Sequence, residues 1–408
     1  MLRTDRLKGL KALVVHPRRH HLYQTARAYQ EAGRLAHFLT NTWVGQPSRL
    51  KTLRTILPSN INRKVQKLSD YHDATLAPSV ILRSRNLHHV AASKLLGVNH
   101  IIHDQAPLPD LVTKLCNRNN WALHMPCNHA LNTFRLFKGR GLPLILEQYI
   151  CDRRQALTLL QQETERFGIE MDKASADTTG LRSCDINEEE YELADIIVAG
   201  SEFVAESLRK ARVPEHKIIL AQYGVDTAIF QPNHQPRQAN TPLNVAFVGS
   251  GAIRKGLLYL LEAASQLGPS QVRIQTFGNT GLPEQFVEKY QDILVQRGHL
   301  SRSELVAELA NCHAMALPSL AEGSALSVYE GLAAGLPAIV TPNTSSIVEH
   351  GETGFVVPIR NSEAIEQALL ELIQDDNRRL HMAKAARQAA EAQTWTRYRE
   401  SLRNGLGI

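Results

Sequence analysis

Two glutamates, Glu322 and Glu330, stand eight residues apart in the largely apolar stretch Leu317–Val340. The pattern predicts a helix that begins near the first glutamate and ends at Gly335 and Pro337. If both glutamates are helical, their carboxylates lie on roughly one face. The first N–H groups of a helix attract anions, and carboxylates accept hydrogen bonds from hydroxyls. The pair therefore suits a polyhydroxylated ligand that carries phosphate, such as a sugar nucleotide; the alternative is an amphipathic helix with two solvated glutamates.

A glycine-rich loop with two cations precedes this stretch. The apolar strand LNVAFV is followed by Gly249-Ser250-Gly251, then by Arg254-Lys255-Gly256 and an apolar helix. Glycines let the backbone approach a phosphate, and cations balance its charge. A dinucleotide fingerprint would need glycine at position 254 and an acidic residue after the next strand, and both are missing. The loop therefore favours a phosphate site and disfavours NAD.

The two stretches together resemble family 4 of the retaining glycosyltransferases. EGSALSVYE resembles the E-x7-E motif of that family, and Lys255 matches the lysine of its G-R-x4-K-G loop. Ser250 stands where the family has arginine, so Arg254 either supplies the missing charge or points to solvent. YGVDTAIFQP resembles the family's hinge, and HGETGFVVP resembles its turn after the donor site. The resemblance is strong over residues 190–375 and weak over residues 1–190.

This resemblance implies an α/β fold in which two Rossmann-like domains face each other across a cleft, the GT-B arrangement. A chain of 408 residues is also long enough for two domains. We expect an acceptor-binding domain over 1–232, a linker over 233–242 and a nucleotide-sugar-binding domain over 243–383. The last segment, 384–408, is expected to form a helix that crosses back to the first domain.

The resemblance also implies roles for single residues. Glu330 would hold ribose hydroxyls, Glu322 would hold the transferred sugar, and Lys255 with Arg254 would stabilise the leaving diphosphate. The expected catalytic residues are Glu322, Lys255 and Arg254. The expected donor-binding residues are Gly249, Ser250, Gly251, Gly323, Ser324, Ala325, Leu326, Glu330 and His299. The family commonly has a histidine after the strand LILEQ, but EQYICD here has none, so the acceptor-side candidates are Arg19, His20 and His103.

The expected reaction is transfer of a sugar, with retention at the anomeric carbon, to a glycan, lipid-linked or small-molecule acceptor. No D-x-D motif occurs, and the resemblance implies no metal and no cofactor beyond the nucleotide-sugar substrate. The alternatives are a nucleotide-sugar epimerase of the same fold and a sugar-nucleotide-binding protein without catalysis.

The net charge of +6 is unevenly distributed along the chain. Residues 1–150 hold 22 Lys and Arg against 7 Asp and Glu, whereas the remainder holds 24 against 33. A basic first half indicates an acidic partner, and no nucleic-acid-binding motif accompanies the charge. We therefore expect contact with an anionic membrane surface or an anionic acceptor; the alternative is charge that serves solubility only.

Cysteine use and hydropathy predict the compartment. The five cysteines are scattered without a C-x-x-C pair, which favours a reducing compartment over a disulfide framework or a structural zinc site. No apolar run approaches the length of a membrane span, and the first apolar run is too short for a signal peptide. We expect a cytoplasmic protein, peripheral at the inner membrane surface if the basic half binds lipid.

Overall fold

The computed structural model describes residues 7, 9–16, 22–40, 76, 81–83, 112, 115, 119–171, 176, 179–230, 232, 236–238 and 240–408. Three acceptor-side candidates from the sequence, Arg19, His20 and His103, lie outside this part of the chain, as does most of the basic first half.

The described part of the first domain is built on a parallel sheet of seven strands. They are β1 (Ala12–His16), β2 (Leu35–Thr40), β3 (Ile81–Arg83), β4 (Ala122–Pro126), β5 (Leu144–Gln148), β6 (Ile196–Ala199) and β7 (Ile218–Leu220). Their order is β3-β2-β1-β4-β5-β6-β7. Both β1 and β6 are buried along their whole length, as expected of parallel strands covered by helices on both faces.

Five helices accompany these strands in the described residues. They are α1 (Leu22–Glu31), α2 (Leu131–Phe137), α3 (Arg153–Phe167), α4 (Leu181–Leu193) and α5 (Glu202–Lys210). Ser201 is the N-cap of α5, and its side chain accepts a hydrogen bond from Val204 N.

The second domain has a six-stranded parallel sheet. Its strands are β8 (Leu243–Val248), β9 (Val272–Phe277), β10 (Leu294–Gly298), β11 (Ala314–Leu317), β12 (Ala338–Val340) and β13 (Gly354–Val356). Their order is β10-β9-β8-β11-β12-β13. The helices that follow Gly256 are α6 (Leu257–Leu267), α7 (Glu284–Lys289), α8 (Arg302–Leu309), α9 (Leu326–Ala333), α10 (Ser362–Gln374), α11 (Asp376–Ala392) and α12 (Trp395–Leu406). The two parallel α/β sheets confirm the predicted fold class.

The last two helices connect the domains. Helix α11 packs against α9, and α12 packs against α1 and β7 of the first domain. Tyr398 of α12 is buried; its hydroxyl lies 2.7 Å from Thr25 Oγ1 and donates to Glu147 Oε1 at 3.2 Å. The second oxygen of Glu147 lies 2.7 Å from His124 Nε2. A buried polar network therefore attaches the C-terminal helix to the core of the first domain.

Other hydrogen bonds also join the domains. At the hinge, Val225 N donates to Gln393 O at 3.0 Å. Away from the hinge, Glu163 of α3 accepts from Tyr259 Oη of α6 and from Arg360 Nε, each at 2.5 Å. Glu163 is buried, so α3 belongs to the first domain in sequence but also packs against the second. None of the described helices has both the length and the apolar composition needed to cross a membrane.

Candidate active site

The loop after β8 brings the side chain of Lys255 close to the backbone of Gly249. Gly249 and Gly251 have φ values of +145° and +88°, in the region that favours glycine. A Cβ at Gly249 would lie 2.5 Å from Cε of Lys255, so glycine leaves the path of that side chain open. Gly256, with φ +70°, approaches the backbone so closely that a Cβ would lie 2.0 Å from Pro318 O. These conformations direct Lys255 toward the segment that follows β11.

Three charged side chains meet at this point. Lys255 Nζ lies 2.6 Å and Arg254 Nη1 2.7 Å from the same oxygen, Oε1, of Glu322. Arg254 Nη1 also donates to Ala321 O at 2.9 Å. The sequence left two orientations open for Arg254, and the structure directs it to the glutamate rather than to solvent. The cluster lies at the carboxyl edge of the second sheet, where ligands bind in open α/β folds.

The cluster carries an excess positive charge. Burial by itself raises the pKa of Glu322, but the charges of Arg254 and Lys255 and their hydrogen bonds outweigh it and lower that pKa to about 2. Burial lowers the pKa of Lys255; the charge of Glu322 opposes this effect and that of Arg254 adds to it. At neutral pH one carboxylate therefore faces two cations, an arrangement that can accept an anion such as a diphosphate.

The prediction that the helix begins near Glu322 is wrong. Helix α9 begins at Leu326 and Glu322 lies in the loop before it, so the two glutamates are not both helical. The carbonyl oxygen of Glu322 accepts from Cys151 N of the first domain at 3.0 Å, so it is engaged across the domain boundary. A Cβ at Gly323 would lie 1.9 Å from Tyr149 O, which shows how closely the two domains approach here.

The other donor-binding candidates follow strands β8, β10 and β11. Ala325 precedes α9 without a side-chain cap, and Ser324 Oγ lies 3.0 Å from Tyr329 Oη. Glu330 lies on α9 with its carboxylate 3.2 Å from Arg302 Nη2. His299 is exposed just after β10. All the donor-side candidates lie at the carboxyl edge of the second sheet: Gly249, Ser250, Gly251, His299, Gly323, Ser324, Ala325, Leu326 and Glu330.

Sequence reasoning missed the first-domain residues that touch this loop. Ser201 Oγ donates to Gly323 O, while it also caps α5. Cys151 N contacts the carbonyl of Glu322, as described above. Position 201 has a local signal as a helix cap, but its contact with position 323 spans 122 residues of chain and leaves no trace in local sequence. Within the described chain, no cluster of three or more His, Cys, Asp and Glu side chains has the arrangement to hold a metal ion.

Residues 242–375 match the family model described as Glycosyl transferases group 1. Over 226 residues the chain is 27% identical to WcaL of Escherichia coli strain K12, a candidate colanic acid biosynthesis glycosyltransferase, covering 49% of this chain and 53% of WcaL. Over 227 residues it is 26% identical to the D-inositol 3-phosphate glycosyltransferase of Corynebacterium efficiens, covering 50% and 54%. The chain thus spans about half the length of the curated relatives it matches.

Solved structures share the fold over nearly the whole chain. Anabaena HepE in complex with UDP and glucose superposes with a TM-score of 0.62 at 15% identity, covering 98% of this chain and 99% of that one. The sucrose-phosphate synthase of Thermosynechococcus elongatus gives a TM-score of 0.64 at 14% identity, covering 97% and 98%. At such identities the likeness shows the fold alone, and that fold is the GT-B arrangement expected from the sequence.

Proposed function

We propose that this chain, whose residues 242–375 match the family model of the group 1 glycosyl transferases, moves a sugar from a nucleotide-sugar donor to an acceptor hydroxyl. The acceptor would be a glycan, a lipid-linked sugar or a small molecule. The reaction would retain the configuration of the anomeric carbon and would need no metal ion.

The observation that carries this proposal is the cluster of Arg254, Lys255 and Glu322. A departing nucleoside diphosphate gains negative charge as its bond to the sugar breaks, and two fixed cations stabilise that charge without reorganising. Their approach to one oxygen, at 2.6 and 2.7 Å, holds both in a small buried volume. Preorganisation of this kind acts mainly in the transition state and raises turnover.

Glu322 and Glu330 would each bind a different part of the donor. Glu322, ionised because its pKa is about 2, would accept hydrogen bonds from hydroxyls of the transferred sugar. Glu330, on the same edge of the sheet, would accept from the ribose hydroxyls. In same-face attack the acceptor hydroxyl approaches beside the departing phosphate, which is then the nearest base for its proton. The bond from the anomeric carbon to the phosphate oxygen breaks as the bond to the acceptor oxygen forms.

The comparisons support a nucleotide sugar as the donor. HepE, which shares the fold, has been solved with UDP and glucose bound. The acceptor domain is less defined, because Arg19, His20, His103 and most of the basic first half lie outside the described residues. An anionic membrane surface remains our proposal for that half, on the strength of its charge.

Incubation with radiolabelled UDP-sugars and GDP-sugars, with and without a membrane extract, tests the proposal. Label transferred to lipid, glycan or added acceptor supports a transferase. Interconversion of the free sugar nucleotide would identify an epimerase, and binding without turnover would identify a non-catalytic protein. Glu322→Gln should abolish transfer. Arg273→Ala is the matched control, because this cation is exposed near the amino end of β9, at the opposite edge of the sheet.

A further inference from the structure

Arg302, an arginine outside the two motifs that carry the expected donor-site residues, contacts the glutamate proposed to bind ribose. Arg302 is the first residue of α8, and its Nη2 lies 3.2 Å from Glu330 Oε1. The helix start is fixed by a capping box, in which Ser301 and Glu304 bond each other's backbone N–H groups. The position of the arginine backbone is therefore set independently of the ion pair.

The guanidinium is oriented by a second contact. It lies over the ring of Phe230, 5.8 Å from the ring centroid. Phe230 is buried and ends the hinge segment between the domains, so it offers a rigid surface to the cation. Arg302 is thus held between a fixed ring and the carboxylate of Glu330.

Arg302 is expected to contribute little to the stability of the fold. A cation at the start of a helix faces the positive end of the helix dipole, which disfavours it. The side chain of Arg302 is 43% exposed and that of Glu330 19%, and ion pairs at such exposure contribute little to folding. The pair instead restrains one oxygen of the Glu330 carboxylate.

We infer that Arg302 is a positioning residue for donor recognition, which orients Glu330 so that its carboxylate can accept from the ribose hydroxyls. This inference rests on the proposed function and deepens it, because it assigns selectivity for the ribose to a pair of residues. A carboxylate that binds two neighbouring hydroxyls must have a set orientation, and Arg302 with Phe230 provides it.

Calorimetric titration with three probes separates this role from a general loss of fold. The probes are UDP (or GDP, if the protein does not bind UDP), the 2′-deoxy analogue of the same nucleotide, and inorganic pyrophosphate. The wild-type protein should bind UDP more tightly than 2′-deoxy-UDP. In Arg302→Gln the affinity for UDP should fall about threefold to tenfold, and the ratio between the two nucleotides should approach one. Affinity for pyrophosphate, which has no ribose, should stay unchanged.

The chain offers a matched control. Arg378 also combines an ion pair, 2.6 Å from Glu371 Oε2, with a position over a phenylalanine ring, 5.7 Å from the centroid of Phe355. It lies in the corner between α10 and α11, and Arg378→Gln should leave all three affinities unchanged. An unchanged nucleotide ratio in Arg302→Gln would overturn the inference while leaving the proposed function intact. If the wild-type protein bound neither UDP, GDP nor pyrophosphate, the proposed function would fail and this inference with it.

Discussion

Replacing Arg254 by alanine tests how the phosphate loop works. The sequence has serine at position 250, where related loops have arginine, and the structure brings Arg254 to the carboxylate that Lys255 also contacts. If Arg254 supplies the second cation, both alanine variants should lose turnover on a similar scale. The nearly equal distances to Glu322 Oε1, 2.7 and 2.6 Å, are the reason to expect similar losses.

The size of the expected loss of turnover follows from the strength of charge–charge interactions in a buried site. A unit charge about 4 Å from another interacts with about 4 kcal/mol at an effective dielectric constant of about 20. Removing one preorganised group from a developing anion costs about 2.7–4 kcal/mol in measured enzymes. We therefore expect Arg254→Ala and Lys255→Ala each to lower kcat by about a hundredfold or more. The donor KM should change much less, because the interaction strengthens in the transition state.

The assay is steady-state transfer of labelled sugar at varied donor concentration, once a donor and an acceptor have been identified. Arg254→Lys keeps the charge and should lose less than Arg254→Ala. Ser250→Arg in the Arg254→Ala background should restore part of the turnover if a cation from either position can reach the phosphate. A loss below about threefold in Arg254→Ala, the scale of an ordinary surface change, would refute its role. A fully active Lys255→Ala protein would refute the function assigned to the whole loop.

Four further outcomes follow. Glu330→Gln should weaken UDP binding by about 1–3 kcal/mol in calorimetric titration, and an unchanged affinity would exclude it from the site. Because the folded-state pKa of Glu322 is about 2, below the ordinary value of 4.5, its carboxylate contributes stability above about pH 4.5 that is lost toward pH 2. In urea unfolding the wild-type advantage over Glu322→Gln should therefore shrink, by up to about 3 kcal/mol, as pH falls through that window. Gly323→Ala should lower both turnover and the melting temperature, because the new Cβ would lie 1.9 Å from the carbonyl oxygen of Tyr149 in the first domain. Wild-type turnover and melting temperature in this variant would show that the close contact between positions 323 and 149 is not needed. The protein should sediment with anionic vesicles at low salt and dissociate as salt rises, and Lys64→Glu with Lys67→Glu should reduce this; equal binding to neutral vesicles would make the charge a solubility feature.

Local sequence pattern, together with the family resemblance, was enough to predict the fold class. The second domain alternates buried strands with apolar helices, and glycines such as Gly249 and Gly256 mark turns with positive φ values. The N-cap at Ser201 is likewise a local signal, because its hydroxyl bonds an N–H three residues on. Such features depend on a few neighbouring residues, so the sequence by itself determines them.

The tertiary structure alone decided how the charged residues meet. The sequence could not show whether the Arg254 side chain contacts Glu322 or points to solvent, because its direction depends on a residue 68 positions away in the chain. It also suggested a helical Glu322, whereas the carbonyl of that residue bonds Cys151 N of the other domain. The pairing of Arg302 with Glu330 over Phe230 had no sequence signal for the same reason. Periodicity and turn chemistry report local backbone preference, whereas these contacts form only when distant segments pack together.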